Sequence, residues 1–382
     1  MTANMHTNKI DTNNMDTNKV RVLVVDDSAL MRKLIPQMLD ADQSIQVVGT
    51  AMDGTFCLKK IDELRPTVVT LDLQMPGMNG IDTLKEIMRR HPMPVIVVSS
   101  HSTEGASITL KALALGAFDF VAKPQDASGH MVETAKELIA KIKAAAVGKI
   151  VRPGILPRSA PRPEKISTAK SSPPPSRTVA IGISTGGPQA LEFLLPQLPA
   201  DFPGSILVVQ HMPENFTDMF ARRLDELCAL RVKEARSGDT LQAGRVLVCP
   251  GNRHMKVKRL AIGDVVVLND EERVNGHRPS VDVLFNSAAE EFGPQAIAVL
   301  MTGMGDDGAQ GLGEVKKAGG MTIAQNEESC VVYGMPKAAI ERGYARRVMA
   351  LDVIAATLQA LCGRNEGHGL SSGAGQTARA GR

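Results

Sequence analysis

The stretch Thr178–Leu191, TVAIGISTGGPQAL, decides the fold of the second half of the chain. Its short apolar residues are typical of a buried parallel strand that breakers bound on both sides. Ser184 follows where the strand should end, the glycines Gly186 and Gly187 allow a tight turn, and Pro188 suits the first turn of a helix. This order predicts a serine hydroxyl at the carboxyl edge of a sheet, beside the N–H groups of a helix.

The spacing of Gly182, Ser184 and Gly186 matches the G-x-S-x-G pattern of a nucleophile elbow. That pattern alone is a weak signal, because a glycine turn that opens a helix also cradles phosphate groups. Both interpretations stay open until the chain offers a base for the serine.

The same alternation of strands and helices occurs on both sides of a proline-rich stretch. We predict a disordered leader at 1–19, a doubly wound α/β domain at 20–146, a semi-rigid linker at 147–177, a second doubly wound parallel α/β domain at 178–364 and a disordered tail at 365–382. The strands predicted in the first domain are VRVLVV (20–25), IQVVG (45–49), TVVTL (67–71), PVIVVS (94–99) and FDFVA (118–122). Those predicted in the second, after 178–183, are 205–210, 245–250, 264–269 and 296–301.

Two local features qualify this pattern. Pro36 falls inside the first helical segment, where a proline is expected to kink the helix or mark an irregular turn. RLAIGDVVVLND favours a hairpin that turns through Gly263 and Asp264.

The composition excludes several classes of function. A net charge of +3, no Trp and 3% aromatic residues leave neither the charge nor the stacking surfaces of a nucleic-acid binder. The five cysteines are scattered, which favours reduced thiols over a disulfide framework or a zinc site. Since no apolar run is long enough for a signal sequence or a membrane span, we expect a cytoplasmic protein without membrane insertion.

Four charged residues follow three strands of the first domain. Asp26 and Asp27 follow the first strand, Asp72 the third and Lys123 the fifth. These strand ends meet at one edge of a parallel sheet, where ligands bind. Three carboxylates without His or Cys favour a hard cation, so we predict a Mg²⁺ site with a lysine beside it.

The segments VVDDSALMR, LDLQMPGMNG and KP resemble the receiver domain of bacterial two-component response regulators, a flavodoxin-like fold. The resemblance implies that Asp72 accepts a phosphoryl group from a histidine kinase. It also implies that Asp26, Asp27, Asp72 and the carbonyl of Gln74 hold Mg²⁺. Ser99, Phe120 and Lys123 match the receiver's switch positions, although many receivers carry Thr and Tyr where this chain has Ser99 and Phe120.

Ser184 needs a base before it can act as a nucleophile near neutral pH. His211 ends the strand after the serine unit and is the favoured base, while His254 and His277 are weaker candidates. A carboxylate to orient the imidazole is expected in AIAVLMTGMGDDGAQGL, where Asp306 and Asp307 both lie in a glycine turn. Either aspartate would also suit capping of the helix that follows.

The second domain resembles the catalytic domain of the CheB-type chemotaxis protein-glutamate methylesterases, on STGGP, QHMPENFT, GDTLQAGRVLVCPGNRHM, RPSVDVLFNS, TGMGDDGAQGL and AQNEESCVVYGMPKAA. The resemblance implies a triad of Ser184, His211 and Asp307, with oxyanion donors at Thr185, Gly186 and Met304. It places Asp306 outside the triad and needs no cofactor there.

The activity that the resemblance implies is hydrolysis of glutamyl γ-methyl esters on methyl-accepting chemoreceptors, with deamidation of receptor glutamines as a second reaction. A chemotaxis histidine kinase would switch the enzyme on through Asp72, and the unphosphorylated receiver would cover the esterase cleft.

Two other classes remain as alternatives. The second domain could be a non-catalytic output domain that binds a protein or a nucleic acid, but three catalytic groups at strand ends would then be unexplained. A nucleotide-binding α/β domain would explain the glycine turns. It would need an acid after its second strand to hold a ribose, where this chain has Gln210 and His211.

Overall fold

The computed structural model describes residues 19–100, 102–123, 131–148 and 173–363. The predicted tail, nearly all of the predicted leader and most of the predicted linker lie outside these ranges. The described residues form two parallel α/β domains, as the strand pattern predicted.

The N-terminal domain has a five-stranded parallel sheet with the order β2-β1-β3-β4-β5. All five predicted strands are confirmed to within two residues at either end. Strands β1 to β5 are Val20–Val25, Ile45–Ala51, Val68–Leu71, Val95–Ser99 and Asp119–Ala122. Helices α1 to α5 are Met31–Leu39, Gly54–Leu64, Gly80–Arg90, Thr103–Ala114 and Met131–Val147. Pro36 lies inside α1, which continues past it.

The C-terminal domain has a seven-stranded parallel sheet with the order β14-β13-β12-β6-β7-β9-β8 and a separate hairpin of β10 and β11. Strands β6 to β14 are Thr178–Ile183, Ser205–Gln210, Arg231–Glu234, Arg245–Val248, His254–Leu260, Gly263–Asn269, Ala296–Leu300, Met321–Gln325 and Arg347–Met349. Helices α6 to α11 are Gly187–Leu194, Phe216–Leu227, Val281–Phe292, Ala309–Lys317, Met335–Glu341 and Leu351–Gly363. Short 3-10 turns follow α6 and α8, at Leu195–Gln197 and Gly293–Gln295.

Three strands of this sheet escaped sequence analysis, and one turn was misplaced. The edge strands β8 and β14 are short and partly exposed, so they lack the apolar run that identifies a central strand. β13 is only five residues long. The hairpin turns at Ala261 and Ile262 rather than at Gly263 and Asp264, because Gly263 already pairs with Leu260.

The central strand β6 lies at the switch point of the large sheet. One neighbour, β7, follows it in the chain, and the other, β12, comes more than a hundred residues later. In open parallel sheets such a reversal leaves a crevice at the carboxyl edge, where ligands bind. Because Ser184, His211 and Asp307 follow β6, β7 and β12, the fold brings all three to this crevice.

The two domains are in direct contact. Helix α4 of the N-terminal domain packs against α6 and α7 of the C-terminal domain. Within the described ranges, every helix is too short or too polar to cross a bilayer.

Candidate active site

Ser184 occupies the turn that its sequence predicted, directly after β6. The next glycine, Gly186, has φ +78°, and a Cβ there would lie 2.6 Å from Cβ of Val331. Helix α6 then begins at Gly187, with Pro188 in its first turn. The carbonyl of Ser184 accepts hydrogen bonds from the Gly187 N–H (2.8 Å) and from Nε2 of Gln210 (3.0 Å). Only glycine fits this turn without strain, and these bonds fix the backbone that presents the serine.

The structure brings His211 and Asp307 together as the sequence predicted. Nε2 of His211 lies 2.8 Å from Oδ2 of Asp307, and the two side chains are 9% and 1% exposed. The backbone N–H of His211 donates to the carbonyl of Ile183, which precedes Ser184. An imidazole hydrogen-bonded to a buried carboxylate beside a serine is the arrangement that acyl-transfer chemistry requires.

The contacts of His211 identify which of its imidazole nitrogens pairs with the carboxylate. Nδ1 of His211 is buried and has no hydrogen-bond partner among the described residues. Turning the ring about its Cβ–Cγ bond would put a carbon where Nε2 now meets Asp307, so Nε2 is the nitrogen that pairs with the carboxylate. Nδ1 is therefore the nitrogen that remains to act as a base, and that it accepts the proton of Ser184 stays a prediction.

Asp307 is held ionised by a dense set of donors. Its Oδ1 accepts from Oγ of Ser280 (2.7 Å) and Nδ2 of Asn275 (2.9 Å), and its Oδ2 accepts from the Val281 N–H (2.7 Å). Burial alone would raise the pKa of Asp307, but the bond and charge of His211, with the bonds from Val281 and Asn275, hold it well below its usual range. The carboxylate is therefore available to stabilise an imidazolium at neutral pH.

One loop between β11 and α8 supplies contacts that sequence analysis did not foresee. It carries Asn275, whose amide bridges Asp307 and Asp282 (2.7 Å to the latter), and His277, whose ring stacks on His211 with centroids 3.9 Å apart. Burial first, and then the charge of His211, lower the pKa of His277 to about 4. The proline and serine that follow in RPSV point to a constrained helix entry, but no sequence signal ties this loop to His211.

His254 is not the base. It is fully buried, its Nδ1 accepts from the Ser280 N–H at 3.2 Å, and its Nε2 therefore donates to the carbonyl of Glu272 at 2.9 Å. Both nitrogens are occupied, so His254 supports the backbone beside Asp307.

The predicted oxyanion residues border the serine. Thr185 is buried next to it, and the turn that carries Met304 lies so close that a Cβ on Gly303 would fall 2.8 Å from Cβ of Ser184. That Thr185, Gly186 and Met304 donate to an oxyanion stays a prediction.

Asp306 takes no part in the pair that His211 and Asp307 form. It is exposed and bonds Arg342 at 2.6 Å. Helix α9 has Gly308 at its N-cap, and its Gly311 N–H donates to Asp282, so the expectation that Asp306 or Asp307 caps it is wrong.

The receiver-like domain gathers its acidic residues as expected. One carboxylate oxygen from each of Asp26, Asp27 and Asp72 lies within 4.8 Å of the others. Nζ of Lys123 lies 2.9 Å from Asp26 and 2.8 Å from Asp72. Burial raises the pKa of Asp26, although the neighbouring charge of Lys123 opposes the rise. Burial alone would lower the pKa of Lys123, but the bonds of Lys123 to Asp72 and Asp26 outweigh burial and raise that pKa. An all-oxygen donor set of this kind fits Mg²⁺.

Three further predicted residues lie near this pocket. The Gln74 N–H donates to Oδ1 of Asp72 at 3.2 Å, and the role of its carbonyl stays a prediction. The hydroxyl of Ser99 is turned toward α4, where it accepts from Oγ1 of Thr109 at 2.7 Å. The ring of Phe120 is buried between the domains and stacks on Phe216 of α7, with centroids 4.7 Å apart.

The N-terminal domain lies directly on the serine turn. Oγ1 of Thr185 donates to Oδ2 of Asp119 at 2.7 Å, and Nε2 of Gln189 donates to the carbonyls of Leu113 (3.2 Å) and Ala117 (2.9 Å). The residue beside the predicted nucleophile is thus bonded to the other domain.

Fold and site together define a receiver domain joined to a second domain, a hydrolase with a parallel α/β sheet. This second domain carries its Ser, His and Asp at the ends of three neighbouring strands. Family models agree with both halves. Residues 22–136 match the response regulator receiver domain, and residues 179–358 match the CheB methylesterase domain.

Relatives match along nearly the whole chain. The protein-glutamate methylesterase/protein-glutamine glutaminase 2 of Koribacter versatilis is 62% identical over 347 residues, which cover 89% of this chain and 95% of that protein. The protein-glutamate methylesterase/protein-glutamine glutaminase of Symbiobacterium thermophilum is 49% identical over 347 residues, covering 88% and 95%. The crystal structure of the Thermotoga maritima CheB methylesterase catalytic domain is 44% identical, covers 48% of this chain and 98% of its own, and has a TM-score of 0.48. The chain belongs to the CheB methylesterase family.

Proposed function

We propose that the protein hydrolyses glutamyl γ-methyl esters on methyl-accepting chemoreceptors, and that it also deamidates receptor glutamines. The single observation that supports this most is the buried bond between His211 and Asp307 beside the serine turn, in a chain whose relatives are named for both reactions. A non-catalytic output domain would have no use for that pair.

The residues divide the chemistry as follows. Oγ of Ser184 attacks the ester carbonyl and passes its proton to Nδ1 of His211, while Asp307 keeps the ring oriented and stabilises its positive charge. The tetrahedral intermediate would place its oxyanion at the N–H groups of Thr185, Gly186 and Met304, where each such donor is typically worth about 10²–10³ in rate. Nδ1 then returns the proton to the leaving methanol.

Deacylation repeats these steps with water. Nδ1 takes a proton from the water, the new C–O bond forms, and Ser184 leaves with that proton, so that the product is a free glutamate. The same route on a carboxamide releases ammonia and deamidates glutamine.

We propose that phosphorylation of Asp72 by a chemotaxis histidine kinase starts this reaction by loosening the receiver from the serine turn. The bonds from Thr185 to Asp119 and from Gln189 to the receiver backbone support it, since they hold the receiver against the residue next to Ser184. Asp26, Asp27 and Asp72, with Gln74, would hold a Mg²⁺ that neutralises charge during phosphoryl transfer. Lys123 would then release a carboxylate and pair with the phosphoryl oxygen.

We place the protein in the cytoplasm. Its five cysteines are all buried free thiols, which suits a reducing compartment.

The test is methanol release from methylated receptor membranes by the full chain, incubated with a small-molecule phosphodonor and Mg²⁺. We expect release by the wild type and none above background by Ser184→Ala. Equal release by both proteins would refute Ser184 as the nucleophile, and no release by the wild type would refute the activity.

A further inference from the structure

Helix α5 of the receiver carries a charged stripe that faces the C-terminal domain. Glu133, Glu137 and Lys141 are spaced four residues apart, so they lie along one side of the helix over about 12 Å. Nζ of Lys141 bonds Oε1 of Glu137 at 2.8 Å, which joins two members of the stripe.

One end of this stripe contacts the C-terminal domain directly, and the other end reaches it through Asp119 of β5. At one end, Oε2 of Glu133 lies 3.9 Å from Nη2 of Arg273 in the loop that carries His277. At the other, Lys141 lies 3.4 Å from Asp119, whose second oxygen accepts from Thr185 beside the nucleophile.

The middle of the stripe lies near the loop that carries His277, whose ring stacks on His211. Glu137 is close enough to His277 to oppose the fall of its pKa, which burial and the charge of His211 cause. Met304, on the predicted oxyanion turn, packs against the receiver core cluster that includes Leu138 of α5. This side of α5 therefore extends from the 273–277 loop to Asp119, which is bonded to the serine turn.

We propose that the crevice takes its protein substrate as a helix in the place that α5 holds, and that Arg273 pairs with an acidic side chain of that helix one to two turns from the reacting glutamate. This inference rests on the proposed function. The side chain of Arg273 is 53% exposed and that of Glu133 is 63% exposed, so the closed-state pair is weak enough to be exchanged for a substrate carboxylate. Arg273 is thus a specificity residue and takes no part in bond breaking.

The test compares three esters with the full chain, activated by a small-molecule phosphodonor and Mg²⁺. Two are helical peptides, each with one glutamyl γ-methyl ester. One carries glutamate at the positions four and eight residues away on both sides of the ester, and the other carries lysine at those positions. The third is a small ester, the γ-methyl ester of N-acetylglutamate α-amide, which has no neighbouring charges. We expect the wild type to favour the glutamate-flanked peptide about fivefold in kcat/KM, the size of an exposed ion pair.

Arg273→Glu should reverse that preference, and its hydrolysis of the small ester shows that the variant is folded. Arg259→Glu is the matched control, since Arg259 is 50% exposed, is likewise paired with an acid, and contacts Gln295 at the opposite edge of the sheet. It should keep the wild-type preference.

The outcomes separate the two proposals. Hydrolysis of all three esters with the same preference in wild type and Arg273→Glu would overturn this inference and leave the proposed function intact. No hydrolysis of any ester by the wild type would overturn the proposed function, and this inference with it.

Discussion

The imidazole rings of His211 and His277 stack with centroids 3.9 Å apart and an interplanar angle of 10°. In the proposed mechanism His211 becomes positively charged, so a second charged ring against it would be costly. Because the pKa of His277 is lowered to about 4, that ring is neutral at physiological pH and packs on His211 without repelling its charge.

We predict that His277 makes stability depend on pH in weakly acid solution. Between its ordinary value of 6.5 and about 4, the unfolded chain binds a proton at His277 that the folded chain does not. The contribution of neutral His277 to the free energy of unfolding is therefore complete above about pH 6.5. It is lost as the pH falls toward 4, and the total loss is at most about 3 kcal/mol. We would measure the free energy of unfolding in urea near pH 7 and near pH 5. It should fall less between these pH values in His277→Phe, which keeps an aromatic ring, than in the wild type. An equal loss in both proteins would contradict the assignment.

A second prediction concerns the amide that bridges two carboxylates. Asn275→Gly removes the hydrogen bond to Asp307 but keeps the backbone free to adopt φ +53°. A lost bond to a charged group is worth about 1.5 kcal/mol or more, so we expect kcat to fall about tenfold. Asn275→Ala adds backbone strain, and it should lower stability further without a further fall in kcat. A kcat at the wild-type level in Asn275→Gly would show that the amide does not position Asp307.

These two residues show where sequence reasoning stopped. The meeting of Ser184, His211 and an aspartate was predictable because each follows a strand, and parallel strands end at one edge. The choice of Asp307 over Asp306 came from the family resemblance. Asn275 and His277 lie in an irregular loop far from those strands in the chain. Their contacts arise from the path of that loop across the domain, which no periodicity records.

The same reason explains the gaps in the predicted fold. Central strands such as β6 and β7 are buried along their whole length and therefore read as apolar runs. The edge strand β8 buries only one of its four residues, so its sequence resembles a loop. Contacts between the domains, such as Phe120 on Phe216, depend on docking and have no local signature.

A third prediction tests the contact that holds the receiver over the serine turn. Gln189→Leu removes two hydrogen bonds to receiver carbonyls and leaves those carbonyls without their donor. The closed arrangement should weaken by about 1–2 kcal/mol, which raises methanol release without a phosphodonor about tenfold. Gln197→Leu is the control and should leave basal release unchanged, since among the described residues the Gln197 amide bonds only Phe193 of its own domain. Equal basal release in both variants would mean that this contact does not restrain the enzyme.

The last prediction separates phosphorylation from catalysis. Asp72→Asn keeps the size of the side chain but removes the carboxylate that we propose as the phosphoryl acceptor, so a small-molecule phosphodonor should no longer raise methanol release. Because Ser184, His211 and Asp307 are unaltered, the small ester should still be hydrolysed at the unphosphorylated wild-type rate. Removing one of three clustered carboxylates should also weaken Mg²⁺ binding, measured by calorimetry without any substrate. Full activation of Asp72→Asn by the phosphodonor would place the phosphorylation site elsewhere, whereas loss of basal hydrolysis would mean that the substitution had disturbed the catalytic domain through the interface.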